Sequence, residues 1–233
     1  MDYRDRHVVV TGGTGALGAA VVGALLTAGA VCHVPYVIAA ELERFPYRTH
    51  PGVKLAADCD LTDEDAVARL FGGAPDVWAS IHLAGGFSGG ALRDTRKADV
   101  MRQLEMNFLT CSLCCRAAVM AMERTNRGGR IVNVASRPAL EWRSGAGMVA
   151  YTASKAAVAA LTVALAEEVA KQDILVNAVA PSILDTPANR QAMPKADYTA
   201  WPKVEQVTQT IAFLASSANQ VTRGAVVPVY GRS

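Results

Sequence analysis

The sequence lacks an excess of charge of either sign. Its 233 residues include 23 Lys and Arg and 21 Asp and Glu, which gives a formal net charge of +2. Proteins that bind nucleic acid usually cluster basic residues on one face, and this chain has no basic run. We therefore expect no nucleic-acid partner.

The chain also lacks the apolar segments typical of membrane proteins. Its N-terminus is charged and leads directly into an apolar strand, which leaves no room for a signal peptide. No uninterrupted apolar stretch reaches the roughly 18 residues needed to cross a bilayer. We expect a soluble, cytoplasmic protein with no membrane partner.

Cysteine is scarce, with five residues, three of which are close together at Cys111, Cys114 and Cys115. This spacing could suit a metal or redox site, but no second Cys or His cluster completes a tetrahedral set of ligands. Unpaired cysteine commonly packs as a small apolar side chain. We predict buried free thiols and no bound metal.

What the chain does contain is an alternation of two kinds of segment. Short β-branched runs alternate with longer Ala- and Leu-rich segments, which predicts a parallel sheet covered by helices on both faces. No linker divides the chain, so we predict one domain over residues 1–233. The predicted strands are His7–Thr11, Val31–Pro35, Val53–Ala57, Val77–Leu83, Arg130–Ala135, Ile174–Val179 and Ala225–Val229. The predicted helices are Leu17–Ala28, Glu64–Phe71, Val100–Glu123, Tyr151–Lys171 and Val204–Ser216.

A glycine-rich turn joins the first predicted strand to the first predicted helix. Glycine there lets the backbone turn tightly and approach a pyrophosphate, which then lies at the N-terminus of the helix. The turn and the alternating segments together predict an α/β fold with a Rossmann-type doubly wound parallel sheet of about seven strands, which binds NAD(P). The residues of the turn expected to contact the cofactor are Gly12, Thr14, Gly15, Ala16, Leu17 and Gly18.

The end of the second strand indicates which dinucleotide is preferred. An acid there binds the ribose hydroxyls of NAD, whereas a nearby Arg favours the 2′-phosphate of NADP. Tyr36 is neither, and the missing carboxylate removes a repulsion against the phosphate, so we favour NADP(H). Asp60, after the third strand, is placed either to bind the adenine amino group or to cap the next helix.

Tyr151 and Lys155 open the strongest predicted helix and lie one turn apart on the same face. A tyrosine hydroxyl has a pKa of about 10, too high for a base near neutrality. A lysine ammonium one turn away, together with an oxidised nicotinamide, favours the phenolate and lowers this pKa. We predict that Tyr151 gives or takes a proton while a hydride moves.

Ser136 and Asn107 are two further polar candidates. Ser136 ends the fifth strand, and active sites of open parallel sheets lie beyond the carboxyl ends of their strands. It is expected to bind the substrate oxygen, with a loop-capping role as the alternative. Asn107 lies within an otherwise apolar helix, where an amide requires a partner. It either orders a water that relays protons to Lys155 or is a satisfied core amide.

These motifs together resemble those of the short-chain dehydrogenase/reductase family over essentially the whole chain. The resemblance implies a catalytic tetrad of Asn107, Ser136, Tyr151 and Lys155. It also implies a homodimer or homotetramer, because compact members usually assemble. The cofactor contacts that it implies beyond the glycine turn are Tyr36, Asp60, Leu61, Ala84, Gly85, Tyr151, Lys155, Pro181, Ile183 and Thr186.

The chain departs from the family pattern at several positions. The usual Asn-Asn-Ala-Gly is His82-Leu83-Ala84-Gly85, so amides that stabilise the strands are lost. Ala16 replaces a glycine of the turn, and Ser182 replaces the glycine after Pro181. Ser136 lies 15 positions before Tyr151, a slightly longer spacing than the family usually shows.

The glycine turn and the late segments Leu184–Arg190 and Met193–Trp201 are similar to those of dihydropteridine reductases. Those enzymes lack the tetrad serine and reduce a quinonoid dihydropterin, whereas Ser136 favours a carbonyl or alcohol substrate. The leading hypothesis is therefore NAD(P)-dependent hydride transfer to or from a carbonyl or alcohol. The alternatives are reduction of a C=N bond in a pterin-like heterocycle and a dinucleotide sensor without catalysis.

A lid over a small-molecule substrate is predicted at about 182–201, because this segment is proline-rich and long for a connector. The catalytic residues do not identify the substrate, since specificity resides in the loops. The candidate substrate-contacting residues, chosen by their positions in the sequence, are Phe87, Arg137, Trp142, Met148, Asn189, Met193 and Trp201.

Overall fold

The protein is described by a computed structural model that covers residues 1–233. Seven parallel strands form one sheet in the order β3-β2-β1-β4-β5-β6-β7, which confirms the predicted doubly wound architecture. The strands are β1 (His7–Thr11), β2 (Val31–Pro35), β3 (Val53–Ala56), β4 (Val77–His82), β5 (Gly129–Val134), β6 (Ile174–Pro181) and β7 (Val226–Val229).

Helices cover both faces of this sheet, also as predicted. The α-helices are α1 (Ala16–Thr27), α2 (Glu64–Gly72), α3 (Lys97–Gln103), α4 (Thr110–Thr125), α5 (Arg137–Leu140), α6 (Val149–Glu168), α7 (Pro187–Ala192) and α8 (Val204–Leu214). Strand β1 shows how the two layers form. Val8 and Val10 pack with α1 and α8, whereas Val9 packs with α2, α4 and α6, because successive side chains of a strand point to opposite faces.

The position of the site follows from the order of the strands. The chain runs outward through β2 and β3 on one side of β1, then returns to β4 on the other side. Ligands of such sheets bind where the order reverses, beyond the carboxyl ends of the strands. The residues that follow β1 and β4 therefore meet at this edge. Leu83 N donates a hydrogen bond to the carbonyl oxygen of Thr11 at 3.1 Å.

The long helix predicted over Val100–Glu123 is divided in the structure. A π-helical segment, Leu104–Leu109, separates α3 from α4 and contains the buried Asn107. Such wide turns occur mostly as single turns and frequently at functional sites. The 3₁₀ segment Ala39–Arg44 and the short helix α5 also lie in regions for which the sequence predicted no element.

Two helical stretches, Lys97–Thr125 and Val149–Glu168, are long and apolar enough to cross a membrane by length and composition. Neither stretch was predicted from the sequence, because polar residues interrupt the apolar runs in both of them. Each stretch packs one face against the sheet, with Cys114 and Ala118 from the first and Val158 and Ala166 from the second in the same core cluster. Core contacts therefore account for the apolar character of one face of each helix.

His82 forms hydrogen bonds that replace those expected to be lost with the family's amides. Its Nδ1 lies 2.8 Å from Asn133 Oδ1, which can only accept, so Nδ1 donates and Nε2 accepts from Ser80 Oγ at 2.7 Å. Asn133 Nδ2 then donates to Thr162 Oγ1 at 2.9 Å. The expectation of lost stabilisation was wrong, because the imidazole joins β4 to β5 and the amide continues the network to α6.

All five cysteines are free and buried, as predicted. Cys111 and Cys115 lie near His82, and the three potential ligand atoms are within 4.8 Å of one another. Both ring nitrogens of His82 are already hydrogen-bonded to Ser80 and Asn133. The cluster is therefore accounted for as part of the buried hydrogen-bond network between the sheet and α4.

Candidate active site

The glycine turn brings the backbone after β1 against the backbone after β4. Gly12 has a φ of +64°, and a Cβ there would come within 2.7 Å of Ala84 N. A Cβ at Gly18 would collide with the carbonyl oxygen of Gly12. Only glycine fits at these two positions, since no side chain is accommodated there.

The N-terminus of α1 is open to an anion. Gly15 is the N-cap residue, no side chain caps the helix, and the first turn contains no acidic residue. Ala16 and Leu17 begin the helix, so their backbone N–H groups lack partners within it. Unpaired N–H groups and the positive end of the helix dipole suit a pyrophosphate. The turn therefore fits the dinucleotide that the sequence predicted.

The residues expected around the adenosine lie at the carboxyl ends of β2 and β3. Tyr36 is half-buried, and its backbone bonds to Ala56 O and Cys59 N at 2.9 and 3.2 Å. Asp60 Oδ1 accepts from the N–H and hydroxyl of Thr62 at 2.9 and 2.8 Å, and these bonds lower the pKa of the Asp60 carboxyl. Asp63, rather than Asp60, caps α2.

A carboxylate that sequence reasoning missed lies on the glycine turn. Glu41 Oε2 accepts a hydrogen bond from Thr14 Oγ1 at 2.6 Å. Glu41 belongs to the 3₁₀ segment Ala39–Arg44, which follows β2 by a few residues. An acid at roughly 20 residues after the glycine turn was the available signal, since Glu41 follows Gly18 by 23 positions.

Ser136, Tyr151 and Lys155 converge at the carboxyl end of β5. Ser136 is 3% exposed, and its hydroxyl has no well-formed hydrogen bond within the protein. Its longer spacing from Tyr151 is taken up by α5 and a 3₁₀ turn, Trp142–Gly145, so the two residues still meet. A buried hydroxyl without a partner is costly, which marks Ser136 Oγ as a place for an oxygen of a ligand.

Burial changes the protonation of both titratable groups in this site. It raises the pKa of Tyr151, and the nearby Ser136 hydroxyl opposes this with a smaller effect. It lowers the pKa of Lys155 to about 8. The predicted lowering of the Tyr151 pKa by Lys155 together with an oxidised nicotinamide concerns the cofactor-bound protein and stays a prediction. Here Lys155 Nζ donates to Val134 O at 2.8 Å, and burial has the largest effect on the pKa of Tyr151. In this structure Tyr151 is therefore a protonated phenol at neutral pH.

Asn107 fixes the loop that follows β4. Its Oδ1 accepts from Gly86 N at 3.0 Å, and its Nδ2 donates to Gly86 O at 3.0 Å and to Ser154 Oγ at 3.2 Å. Both amide hydrogens are thus bonded to protein atoms, which favours the alternative of a satisfied amide over an amide that holds a water. The side chain connects the β4 loop to α6, the helix that carries Tyr151 and Lys155.

Ala84 and Gly85 lie between the glycine turn and this amide. Ala84 N donates to Thr11 Oγ1 at 3.2 Å. Gly85 has a φ of +157°, and a Cβ there would lie 2.6 Å from Asn107 Oδ1 and 3.4 Å from Lys155 Nζ. The β4 loop thus passes directly over the two side chains, with no room for a larger residue.

The residues expected at the nicotinamide follow β6. Pro181 ends the strand and is buried, Ile183 is exposed, and Thr186 is buried at the N-cap of α7. Thr186 Oγ1 accepts from Asn189 N at 3.2 Å. Leu61, expected near the adenine, is half-buried and packs against the core cluster that contains α2.

The lid, residues 182–201, is built from surface hydrogen bonds. Arg190 Nε and Nη2 donate to the two carboxylate oxygens of Asp185 at 2.6 and 2.8 Å. Tyr198 OH donates to the carbonyls of Arg190 and Met193 at 3.2 and 3.1 Å, and its ring lies 5.0 Å from that of Trp201. Trp201 is 8% exposed, so it packs within the lid.

The other predicted substrate residues differ in how close they come to Tyr151. The Phe87 ring is 64% exposed and meets the Tyr151 ring edge to face at 5.0 Å. Met148 pairs with Gly90 of the same loop as Phe87. Trp142 is 74% exposed, and its indole N–H donates to Ala139 O.

Arg137 and Asn189 are engaged by neighbouring protein groups. Arg137 Nε donates to Glu141 Oε2 at 2.7 Å, and its guanidinium lies 5.1 Å from the centre of the Tyr230 ring. Asn189 Nδ2 donates to Leu184 O at 2.8 Å. Phe87 is therefore the predicted substrate residue with the clearest contact to the catalytic tyrosine candidate.

Comparisons with known proteins agree with this geometry. The family model described as short chain dehydrogenase matches residues 6–197. Galactitol 2-dehydrogenase of Rhizobium johnstonii is 34% identical over 96% of this chain and 93% of its own. Cis-4-hydroxycyclohexanecarboxylate dehydrogenase of Sinomonas cyclohexanicum is 33% identical over 98% of this chain and 96% of its own. A solved structure described as a short chain dehydrogenase/reductase family protein has a TM-score of 0.89, with 26% identity over 99% of this chain and 98% of that one.

Proposed function

The chain belongs to the short-chain dehydrogenase family and is an NAD(P)-dependent oxidoreductase of a carbonyl or alcohol, and from this premise we propose how its own residues act. The site residues proposed to carry the reaction are Asn107, Ser136, Tyr151 and Lys155. When bound, the nicotinamide supplies or accepts the hydride. The observation that carries the assignment is the buried, unpartnered hydroxyl of Ser136 beside the protonated Tyr151.

In the direction of reduction, Ser136 and Tyr151 donate hydrogen bonds to the carbonyl oxygen of the substrate. Burial raises the pKa of Tyr151, so the phenol holds its proton until negative charge develops on that oxygen. Tyr151 then donates this proton as the carbonyl carbon receives the hydride. The edge of the Phe87 ring against Tyr151 limits the directions from which water reaches the phenol.

Lys155 replenishes the proton of Tyr151 and stabilises the phenolate that forms transiently. Its pKa of about 8 lets the ammonium lose and regain a proton near neutral pH. Asn107 is a positioning residue. Its amide bonds to Gly86 of the β4 loop and to Ser154 of α6, the helix that carries Tyr151 and Lys155. In alcohol oxidation the same groups move the proton in the opposite direction.

Within NAD(P), we propose NADP(H) as the preferred cofactor. The support is the absence of an acid at Tyr36, where a carboxylate would repel a 2′-phosphate. The proposed cofactor contacts are the glycine turn, with Tyr36, Asp60, Leu61, Ala84, Gly85, Pro181, Ile183 and Thr186.

The test of this function begins with titration of the purified chain with NADPH and NADH, followed by a panel of carbonyl substrates that includes a quinonoid dihydropterin. The chain should bind a cofactor and reduce at least one ketone or aldehyde. Binding of neither cofactor would overturn the proposal. Reduction of the dihydropterin alone would establish the second candidate, which the lid sequence Leu184–Arg190 favours.

Ser136→Ala separates these two substrate classes. The loss of one donor to a developing oxyanion typically costs about 10²–10³ in kcat, so carbonyl reduction should fall by about this factor with cofactor affinity unchanged. Reduction of a C=N bond should be little affected. Ser144→Ala is the matched control, because Ser144 is exposed on the same segment and bonds only to Glu141 O. Equal activity of the Ser136→Ala and Ser144→Ala variants on a ketone would contradict the role of Ser136.

We propose in addition that the chain acts as a cytoplasmic homodimer or homotetramer that associates through α4 and α6. The support is the exposure of apolar side chains on these helices, including Met120, Val149 and Val163.

A further inference from the structure

Glu41 is an acidic side chain with a defined position at the cofactor site. The turn that carries Thr14 is the pyrophosphate cradle, and the Thr14 hydroxyl donates to the Glu41 carboxylate at 2.6 Å. The carboxylate therefore lies between the glycine turn and the segment that follows β2. The second oxygen of the carboxylate, Oε1, takes part in no hydrogen bond within the protein.

This position corresponds to the place of the adenosine ribose in dinucleotide folds. There the pyrophosphate lies on the glycine turn, and an acid about 20 residues further on accepts from the ribose 2′-hydroxyl. That acid normally ends the second strand, where this chain has Tyr36. Glu41 follows Tyr36 by five positions, and the 3₁₀ segment Ala39–Arg44 brings it back to the turn.

From this geometry we infer that Glu41 weakens the preference of the chain for NADP(H) over NAD(H). Its free oxygen accepts a hydrogen bond from the 2′-hydroxyl of NAD(H), while Thr14 keeps the carboxylate in place. The same carboxylate repels the 2′-phosphate of NADP(H). The inference rests on the proposed function, because it requires that a nicotinamide dinucleotide binds this turn.

Arg44 is the basic residue of the same 3₁₀ segment. It lies three residues after Glu41 in the 3₁₀ segment, where residues three apart share a face, and it forms no ion pair with an acidic side chain. Glu41 keeps any preference for NADP(H) smaller than the missing acid at Tyr36 alone would give.

The test compares the dissociation constants of NADPH and NADH, measured by isothermal titration calorimetry, for the wild-type chain, Glu41→Gln and Glu43→Gln. Glu43 is the matched control, because it is exposed on the same segment and has no hydrogen bond or ion pair. Glu41→Gln should bind NADPH about tenfold more tightly and NADH a few-fold more weakly, since one close charge contact changes affinity by about this much. Glu43→Gln should leave both constants unchanged.

The outcomes separate this inference from the function on which it rests. Binding of both cofactors with a ratio of affinities that Glu41→Gln changes by less than about threefold would overturn the role of Glu41 alone. An equal change in the Glu43→Gln variant would also overturn it, because the effect would then come from the charge of the whole segment. A wild-type chain that binds neither cofactor would overturn the proposed function as well.

Discussion

The proposed catalytic cluster (Asn107, Ser136, Tyr151 and Lys155) and the lid are held by hydrogen bonds of different kinds. Asn107, Ser136 and Lys155 are at most 7% exposed, and Asn107 and Lys155 bond to backbone groups of the half-buried Gly86 and Val134. The lid depends instead on the Asp185–Arg190 pair, in which the Arg190 side chain is 53% exposed. Loss of a buried partner leaves an unsatisfied group, whereas water replaces the partner in an exposed pair.

This difference separates the chemistry from the choice of substrate. We expect the catalytic cluster to tolerate little change, because Asn107 and Lys155 are buried and each bonds to backbone atoms. The lid can change its sequence and shape at a small cost in stability, so relatives with the same cluster can act on different molecules. A lid that is similar to that of dihydropteridine reductases is therefore compatible with a different substrate.

A large effect is expected from a change where the cluster is most crowded. Gly85→Ala would place a methyl group 2.6 Å from Asn107 Oδ1 and 3.4 Å from Lys155 Nζ, at a φ that side chains rarely adopt. One of the two side chains must move, and small displacements of catalytic groups cost about 10²-fold in rate. We expect kcat to fall by about this factor, as measured by the initial rate of NADPH oxidation with a saturating carbonyl substrate.

The matched control for this change is Gly72→Ala. Gly72 ends α2, and a Cβ there has no neighbour within 4 Å. This variant should retain wild-type activity and stability. A Gly85→Ala variant as active as Gly72→Ala would show that the cluster adapts as readily as the lid.

A smaller effect is expected from the lid. Asp185→Asn weakens the pair with Arg190, the group that holds the pKa of the Asp185 carboxyl below its usual value. The free energy of unfolding should change by less than about 1 kcal/mol, because the pair is partly exposed. The KM of the carbonyl substrate should rise a few-fold while kcat stays the same, since we expect the lid to contact the substrate and not the groups that transfer the proton.

The exposed pair Arg93–Asp94 outside the lid provides the control for this prediction. Asp94→Asn removes a longer and more exposed ion pair, 3.7 Å from Arg93 Nε to Asp94 Oδ2, and should leave KM unchanged. A large fall in kcat for Asp185→Asn would mean that the lid takes part in the chemistry, and the distinction between the two regions would fail.

The sequence predicted the regular part of the fold well, because buried parallel strands require uninterrupted apolar runs. All eight residues of β6 are buried, as expected for a parallel strand that is covered by helices on both faces. The glycine turn and the Tyr151–Lys155 spacing were equally readable, since each depends on residues within one turn or helix. The ends of the predicted elements differ from the observed ones where a cap or a following turn decides the boundary.

Contacts between segments that are distant in the chain could not be predicted from the sequence. The π-helical segment around Asn107 is stabilised by Gly86, which lies 21 positions away, and the Glu41–Thr14 bond spans 27 positions. The position of Glu41 after the glycine turn was a signal of its general location, but nothing in the sequence indicated that either pair of residues is in contact. The compensation by His82 was missed for the same reason, because its partner Asn133 belongs to the neighbouring strand β5.

The most direct test of the account is the Tyr151→Phe variant, with cofactor affinity and turnover measured on the same preparation. Positioned general acids contribute about 10²–10⁴-fold, so carbonyl reduction should fall by about 10³ while the Kd of NADPH stays within twofold. Tyr47→Phe is the control, since Tyr47 packs at Gly23 on α1 and should leave both quantities unchanged. Turnover within tenfold of the wild type in Tyr151→Phe, with NADPH still bound, would contradict the assignment of Tyr151 as the proton donor.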